Sequence, residues 1–246
     1  MNYMGSNKKN SKYILPIIQK YIDDNNIMEF YDVFCGGANI CDKIKNTKII
    51  ASDLSPTLIA LHKQAQEDFS KIPVENSKEI WDITYGEWKK LKDFNFKILS
   101  KTNLPLYEIG AMEWYGSYSN GGFGRGYRAN KERNFYLEAY KSHKIQSENS
   151  IYKNIDFVCC DYSELKIKKN SLIYCNPPNL NCKPYGVDRL FDYNKFYTWL
   201  KNKSKNNPIF VSEKFLPNDF NKYIIWKEDK LKDNEKLWLI DNRGVK

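Results

Sequence analysis

The stretch Tyr174-Cys175-Asn176-Pro177-Pro178-Asn179 ends the apolar run Ser171-Leu172-Ile173-Tyr174 with two prolines. Proline fixes φ and carries no N–H, so the carbonyls of such a turn cannot be absorbed into a sheet ladder. The amide oxygen of Asn176 and the carbonyl of Pro177 then form a pair of rigid acceptors, with Pro178 holding the turn. Such a pair takes both hydrogens of a conjugated ring amine and frees its lone pair for an electrophilic carbon. No strong base is required, because alignment supplies most of the rate. A base inside a duplex must first leave the stack and be held in the pocket. Stacking on an aromatic ring is worth about 1–3 kcal/mol per base, and Asn179, next in the turn, offers an amide and no ring.

A second constellation lies earlier. Phe34-Cys35-Gly36-Gly37-Ala38-Asn39 follows the short apolar stretch Phe30 to Val33. Glycine tolerates positive φ and has no side chain, so a ligand can approach this backbone closely. The turn is not the Gly-x-Gly-x-x-Gly dinucleotide fingerprint, and alone it reads as an ordinary strand-to-helix turn. Asp53 sharpens it, since a carboxylate at the tip of the next strand can accept both hydroxyls of a ribose. Phe34, Gly36, Gly37, Asn39 and Asp53 together outline a site for an adenosine-type cofactor. Asp161, in Cys159-Cys160-Asp161-Tyr162, ends a further predicted strand. It serves equally well as acceptor for a cofactor amine or as the cap of a helix before Leu165.

These residues need a sheet to bring them together. Apolar spacing predicts a helix over Ser11 to Tyr21, with Pro16 tolerable only in its first turn. Strands are predicted at Glu29 to Phe34, Thr47 to Ala51, Ile155 to Cys159, Ser171 to Cys175, Pro208 to Ser212 and Lys222 to Trp226. Helices are predicted from Ile40 to Ile44 and from Ser55-Pro56 onward. Strand, glycine turn, helix, strand and acidic tip make half of a doubly wound α/β sheet. Residues 1–75 and 151–246 form this core. Residues 76–150 differ in character and read as an inserted lobe. It carries a glycine-rich loop and a basic string, with Tyr118, Asn120, Phe123, Arg125, Tyr127, Arg128, Lys131 and Arg133 as candidate DNA contacts.

The formal net charge of +9 points to a polyanionic partner, although lysine enrichment from an AT-rich coding sequence would give the same balance. No apolar run reaches the length of a membrane span, and the polar N-terminus is unlike a signal peptide, so a cytoplasmic protein is expected. The six cysteines show neither a disulfide framework nor a zinc spacing, and no metal is expected.

In order and content these motifs resemble the Dam-type DNA adenine methyltransferases of phages and bacteria across nearly the whole chain. Tyr3-Met4-Gly5-Ser6-Asn7-Lys8-Lys9 is similar to their aromatic-x-Gly-Gly-Lys opening, and Phe34 to Asn39 to their Phe-x-Gly-Gly-Ala-Asn cofactor loop. Gly116 to Tyr127 is similar to their glycine-rich DNA-reading segment, and Tyr174 to Asn179 to their catalytic turn. The resemblance implies a Rossmann-like methyltransferase sheet with an inserted DNA-recognition lobe. It also implies S-adenosylmethionine as methyl donor and double-stranded DNA with a flipped adenine as substrate. Tyr3, Asn7, Asp161 and Asn176 join the cofactor-binding set by the same route. The chain departs from the pattern at Asn7, where the family has Lys, at Asn176, where Asp is usual, and at Asn179, where it has an aromatic. Two readings therefore stand: an adenine methyltransferase, or a pseudo-enzyme that keeps the fold to bind DNA, cofactor or a protein partner. A nicotinamide oxidoreductase is disfavoured by the missing fingerprint.

Overall fold

The computed structural model of the chain describes residues 1–93, 102–128, 133–178, 191–221, 224–229, 231 and 234–243. Short apolar runs build its sheet. β1 (Glu29–Asp32), β2 (Lys48–Asp53), β3 (Asp156–Cys159), β4 (Leu172–Cys175) and β5 (Ile209–Glu213) lie parallel in the order β3-β2-β1-β4-β5. Every residue of β4 and β5 is buried, as in strands covered on both faces. β6 (Ile224–Glu228) and β7 (Lys236–Ile240) complete a seven-stranded sheet, with β7 running antiparallel between β5 and β6. The chain winds outward from β1 through β2 to β3, then returns to β4 on the other side of β1. This is the expected doubly wound α/β fold. It opens a crevice at the carboxyl ends of β1 and β4, where the strand order reverses.

One face of the sheet is covered by α1 (Ser11–Asp24), through Ile14, Ile18 and Ile22, and by α2 (Pro56–Glu67), through Leu58 and Leu61. The other is covered by α7 (Tyr193–Lys203), through Phe196, Trp199 and Leu200. Ser55 caps α2 by accepting from the Leu58 amide, and Pro56 occupies its first turn. Pro16 sits deeper in α1 than its first turn, against expectation. The Lys12 carbonyl that it leaves without an intrahelical donor belongs to an exposed residue.

Between α2 and β3 the chain forms α3 (Lys78–Asp93), α4 (Leu106–Tyr115), α5 (Phe135–Ser147) and α6 (Ser150–Lys153). α4 lies tightly on α2: a Cβ at Gly110 would come within 2.3 Å of the Thr57 carbonyl. Glu113 of α4 is buried and accepts from the Thr57 hydroxyl at 2.5 Å. The Ile40–Ile44 segment is not the predicted helix but a single 3-10 turn, Cys41–Lys43. Asn46, at φ +60°, redirects the chain into β2 too soon for more.

Candidate active site

All nine residues assigned to the cofactor from the sequence (Tyr3, Asn7, Phe34, Gly36, Gly37, Asn39, Asp53, Asp161 and Asn176) line one cavity of about 240 Å³ at the sheet's carboxyl edge. Pro177 and Pro178 line it too. The glycine turn leaves β1 with Gly36 at φ +47°, a conformation that favours glycine. A Cβ on Gly36 would meet the Tyr3 ring at 2.8 Å, and one on Gly37 the Tyr3 Cβ at 2.8 Å. Tyr3 is in turn placed by the Trp114 ring, 4.9 Å away between centroids. Asp53, at the tip of β2, accepts from the Gly36 amide at 3.1 Å and the Ser55 amide at 3.0 Å. Asn39 ties the end of the turn to the opening segment, donating to the Met1 carbonyl at 3.0 Å and Ser6 Oγ at 2.9 Å.

Asp32, at the tip of β1, was read only as a strand residue, yet it faces the same cavity. It is 2% exposed and its Oδ1 has no hydrogen-bond partner. Burial pushes its carboxyl up to about 7, against bonds from the Cys41 thiol and the Phe34 amide. The signal that identified Asp53, an acid at a strand tip, applied equally to Asp32.

The far wall is aromatic. Phe34 packs against Tyr162 (5.2 Å between centroids) and Phe191 (5.7 Å), with Leu54 also lining the cavity. Asp161 caps no helix, because the residues that follow it form a turn rather than a helix. Its Oδ1 closes a turn by accepting from the Ser163 amide at 2.8 Å, and it borders the cavity. Burial opposes its charge, but the Ser163 hydroxyl and amide, with Lys195 Nζ at 3.4 Å, hold its pKa below the usual value. Lys195, on α7, escaped the sequence reading because it lies in an ordinary amphipathic helix.

At the end of β4 the Asn176 amide donates to the Gly5 carbonyl at 3.1 Å, leaving its oxygen directed away from that bond. Tyr193 donates its hydroxyl proton to the Pro178 carbonyl. The buried Asn7 amide lies beside Asn176. With its nitrogen on Glu235 Oε2 (2.7 Å), its oxygen accepts from the hydroxyls of Tyr174 (2.7 Å) and Ser212 (2.9 Å) and lies 3.2 Å from Asn176 Oδ1, with no proton between those two oxygens. The opposite orientation would spend that nitrogen on Asn176 Oδ1, 3.2 Å away. Glu213, next to Ser212, is buried with an unpartnered Oε2, and burial pushes its carboxyl up to about 7. Asn179 lies outside the described residues.

The lobe divides the candidate DNA contacts. Tyr118 is 60% exposed at the tip of a turn in which Ser119 and Asn120 both have positive φ. The Arg128 guanidinium stacks 3.2 Å from the Phe135 ring centroid and 5.7 Å from that of Tyr118. Arg133 is exposed and pairs with Glu138. Arg125 and Tyr127 are half-buried, Tyr127 beside the Trp81 ring. Phe123 and Asn120 do not face outward as expected. Phe123 fills an aromatic cluster with Trp81, Tyr85 and Trp88, and Asn120 donates to the Trp114 carbonyl at 2.7 Å. Closing a glycine-rich loop onto a helical lobe needs internal anchors, and these two side chains supply them. Lys131 lies outside the described residues.

The description of D12 class N6 adenine-specific DNA methyltransferases matches residues 3–198. Type II methyltransferase M.FokI of Planomicrobium okeanokoites is 25% identical over 195 residues, covering 73% of this chain and 28% of its own length. Modification methylase StsI of Streptococcus sanguinis is 27% identical over 201 residues, with the same two shares. The chain thus spans little more than a quarter of the length of these curated relatives. Among solved structures, that of SMU.472 complexed with SAH covers 89% of this chain and 49% of its own, at 11% identity and a TM-score of 0.33, a loose superposition.

Proposed function

The chain belongs to the D12 class N6 adenine-specific DNA methyltransferase family, and from that membership we propose that it transfers a methyl group from S-adenosylmethionine to the exocyclic amine of adenine in DNA. The observation that carries the proposal is the single cavity that joins the Asp32–Gly36–Asp53 edge to the Asn176–Pro177 acceptors. The donor set suits this cofactor. The orphaned Asp32 Oδ1 is a buried acceptor for the amino acid's ammonium, and Asp53 stands where a ribose diol would bond. Gly36 and Gly37 keep the floor free of side chains, while Leu54, Phe34 and Tyr162 offer apolar faces to a purine. When bound, the cofactor supplies an electrophilic sulfonium methyl.

The remaining work falls to the chain. Asn176 Oδ1 and the Pro177 carbonyl accept the two hydrogens of the adenine amine and hold its lone pair toward the methyl. Glu235 keeps the Asn7 nitrogen occupied, so Asn176 Oδ1 stays open to the substrate. The proton leaves the methylated amine for water, since neither acceptor is a strong base. The exposed Tyr118 with Arg128 and Arg133 would contact the duplex beside the flipped base, and residues 76–150 serve as the DNA-recognition lobe.

The test is incubation with tritiated S-adenosylmethionine and adenine-rich duplex DNA of mixed sequence, beside an Asn176→Asp/Asn179→Tyr control. Label in DNA from the unaltered protein is the expected result. Label from the control alone would favour the second reading, a scaffold retained for binding, which the amide at position 179 supports. Absence of label from both would sink the assignment.

A further inference from the structure

The carbonyls of the glycine turn are held by side chains from two other elements. His62, on α2, is fully buried, with Nε2 2.8 Å from the Gly36 oxygen and Nδ1 2.7 Å from the Tyr152 hydroxyl. A carbonyl can only accept, so Nε2 carries the proton and Nδ1 accepts from Tyr152. The Tyr152 oxygen is then left to accept from His143 Nε2 at 2.7 Å, and His143 Nδ1 accepts from the Tyr115 hydroxyl at 2.5 Å. Burial keeps both imidazoles neutral, His62 with its pKa driven down to about 3. Each ring nitrogen therefore has one fixed role.

One turn beyond His143 on α5, Gln146 reaches the same loop. Its Nε2 is within 3.1 Å of the Gly37 and Ala38 carbonyls and 2.8 Å of Asp42 Oδ2. Its oxygen accepts from the Met1 amino group. Ala38 is held at φ +56°, a left-handed conformation that disfavours a non-glycine residue and persists only where its surroundings impose it. The Gln146 amide has two hydrogens for its three acceptors, so with one on Asp42 the Gly37 and Ala38 carbonyls share the other. With Gly36 on His62, three successive carbonyls are held from α2 and α5 rather than by the strand that carries them.

We infer that α5 is part of the cofactor-binding apparatus, with Gln146 as a positioning residue for the glycine turn and His62, fixed through Tyr152, as its second support. Gln146 would not touch the cofactor. It acts by setting the peptide planes of the turn, and so the shape of the cavity floor. The inference rests on the reading of the cavity as an S-adenosylmethionine site.

The experiment is calorimetric titration of the full chain and of its Gln146→Met and Tyr152→Phe variants with S-adenosylhomocysteine, with Tm measured on the same samples. Methionine keeps the bulk of Gln146 and removes its donors. Tyr152→Phe is the milder change and keeps the test decisive if Gln146→Met fails to fold. The expected result is binding weakened roughly tenfold by Gln146→Met and about threefold by Tyr152→Phe. Binding of random-sequence duplex DNA by the cofactor-free proteins should stay unchanged. Variants that lose Tm yet bind S-adenosylhomocysteine as the unaltered protein does would overturn the inference, leaving Gln146 a purely structural residue. Failure of the unaltered protein itself to bind would overturn the cofactor reading on which the inference stands.

Discussion

Two turns meet at the carboxyl edge of the sheet, and they are fixed in different ways. The glycine turn after β1 is bonded from all sides: Asp53 holds the Gly36 amide, His62 the Gly36 carbonyl, and Gln146 the next two carbonyls. Among the described residues the Asn-Pro-Pro turn after β4 has few such ties, chiefly the Gly5 carbonyl beneath Asn176 and Tyr193 on Pro178. Its stiffness comes from proline rings. The difference matches the work that the proposed methyl transfer would ask of each. A cofactor floor gains from saturated backbone groups that cannot relax, whereas a turn that must accept hydrogens from a substrate needs its acceptors left vacant.

The contrast is open to direct attack. Asn176→Ala removes a vacant acceptor, so methyl transfer should fall about 10²- to 10³-fold, in the unaltered chain or in the Asn179→Tyr background. Affinity for S-adenosylhomocysteine should fall far less. A parallel loss of that affinity would mean that the two turns are not separate devices. Asp53→Ala strikes the saturated turn, removing the proposed ribose acceptor and the bonds to Gly36 and Ser55. Calorimetry should show S-adenosylhomocysteine binding weakened on the order of 10²-fold, with DNA affinity intact. Tyr118→Ala tests the lobe alone: duplex binding should weaken about tenfold without change in cofactor affinity. Arg128→Ala should lower the salt dependence of DNA binding by about one counterion.

The smallest effect concerns pH. Burial raises Asp32 and Glu213 to about 7 and Glu113 to about 8, from ordinary values of 3.8 and 4.5. A carboxyl raised in the folded state keeps a proton that the unfolded chain has released. Its contribution to stability is full below the unfolded value and is lost as pH rises through the folded one. Tm should therefore decline as pH climbs from about 5 to about 8. Glu113→Gln should flatten the upper part of that decline by a few degrees, on the order expected for 1 kcal/mol. An unchanged slope in that variant would show that Glu113 is ionised beneath its Thr57 bond.

Much of this was legible in the sequence because it is local. Apolar runs of four to six residues mark β1, β2, β3, β4 and β5, the first four ending near glycine, proline or aspartate, and their tips mark the cavity. The apolar run Lys236 to Ile240 was equally readable, but charged flanks hid it, and β7 went unforeseen. His62 and Gln146 could not be read at all. His62 sits in a helix pattern that a buried apolar residue would satisfy as well, and its partner Tyr152 lies 90 positions away. The pairing of Asn7 with Glu235 spans nearly the whole chain. Phe123 misled because a glycine-rich loop suggests an exposed surface, while its ring closes the Trp81–Trp88 cluster.

The place of β7 bears on how the molecule is made. β5 is buried at every residue, yet one of its two edges is covered only by β7, which leaves the ribosome after β6. Until residues 236–240 arrive, the nascent sheet presents an unpaired apolar edge, the kind that invites pairing with another chain. β6 cannot shield it, because β6 reaches the sheet only through β7. Closure of that edge therefore waits for β7, and in the interval before it the edge is open to aggregation.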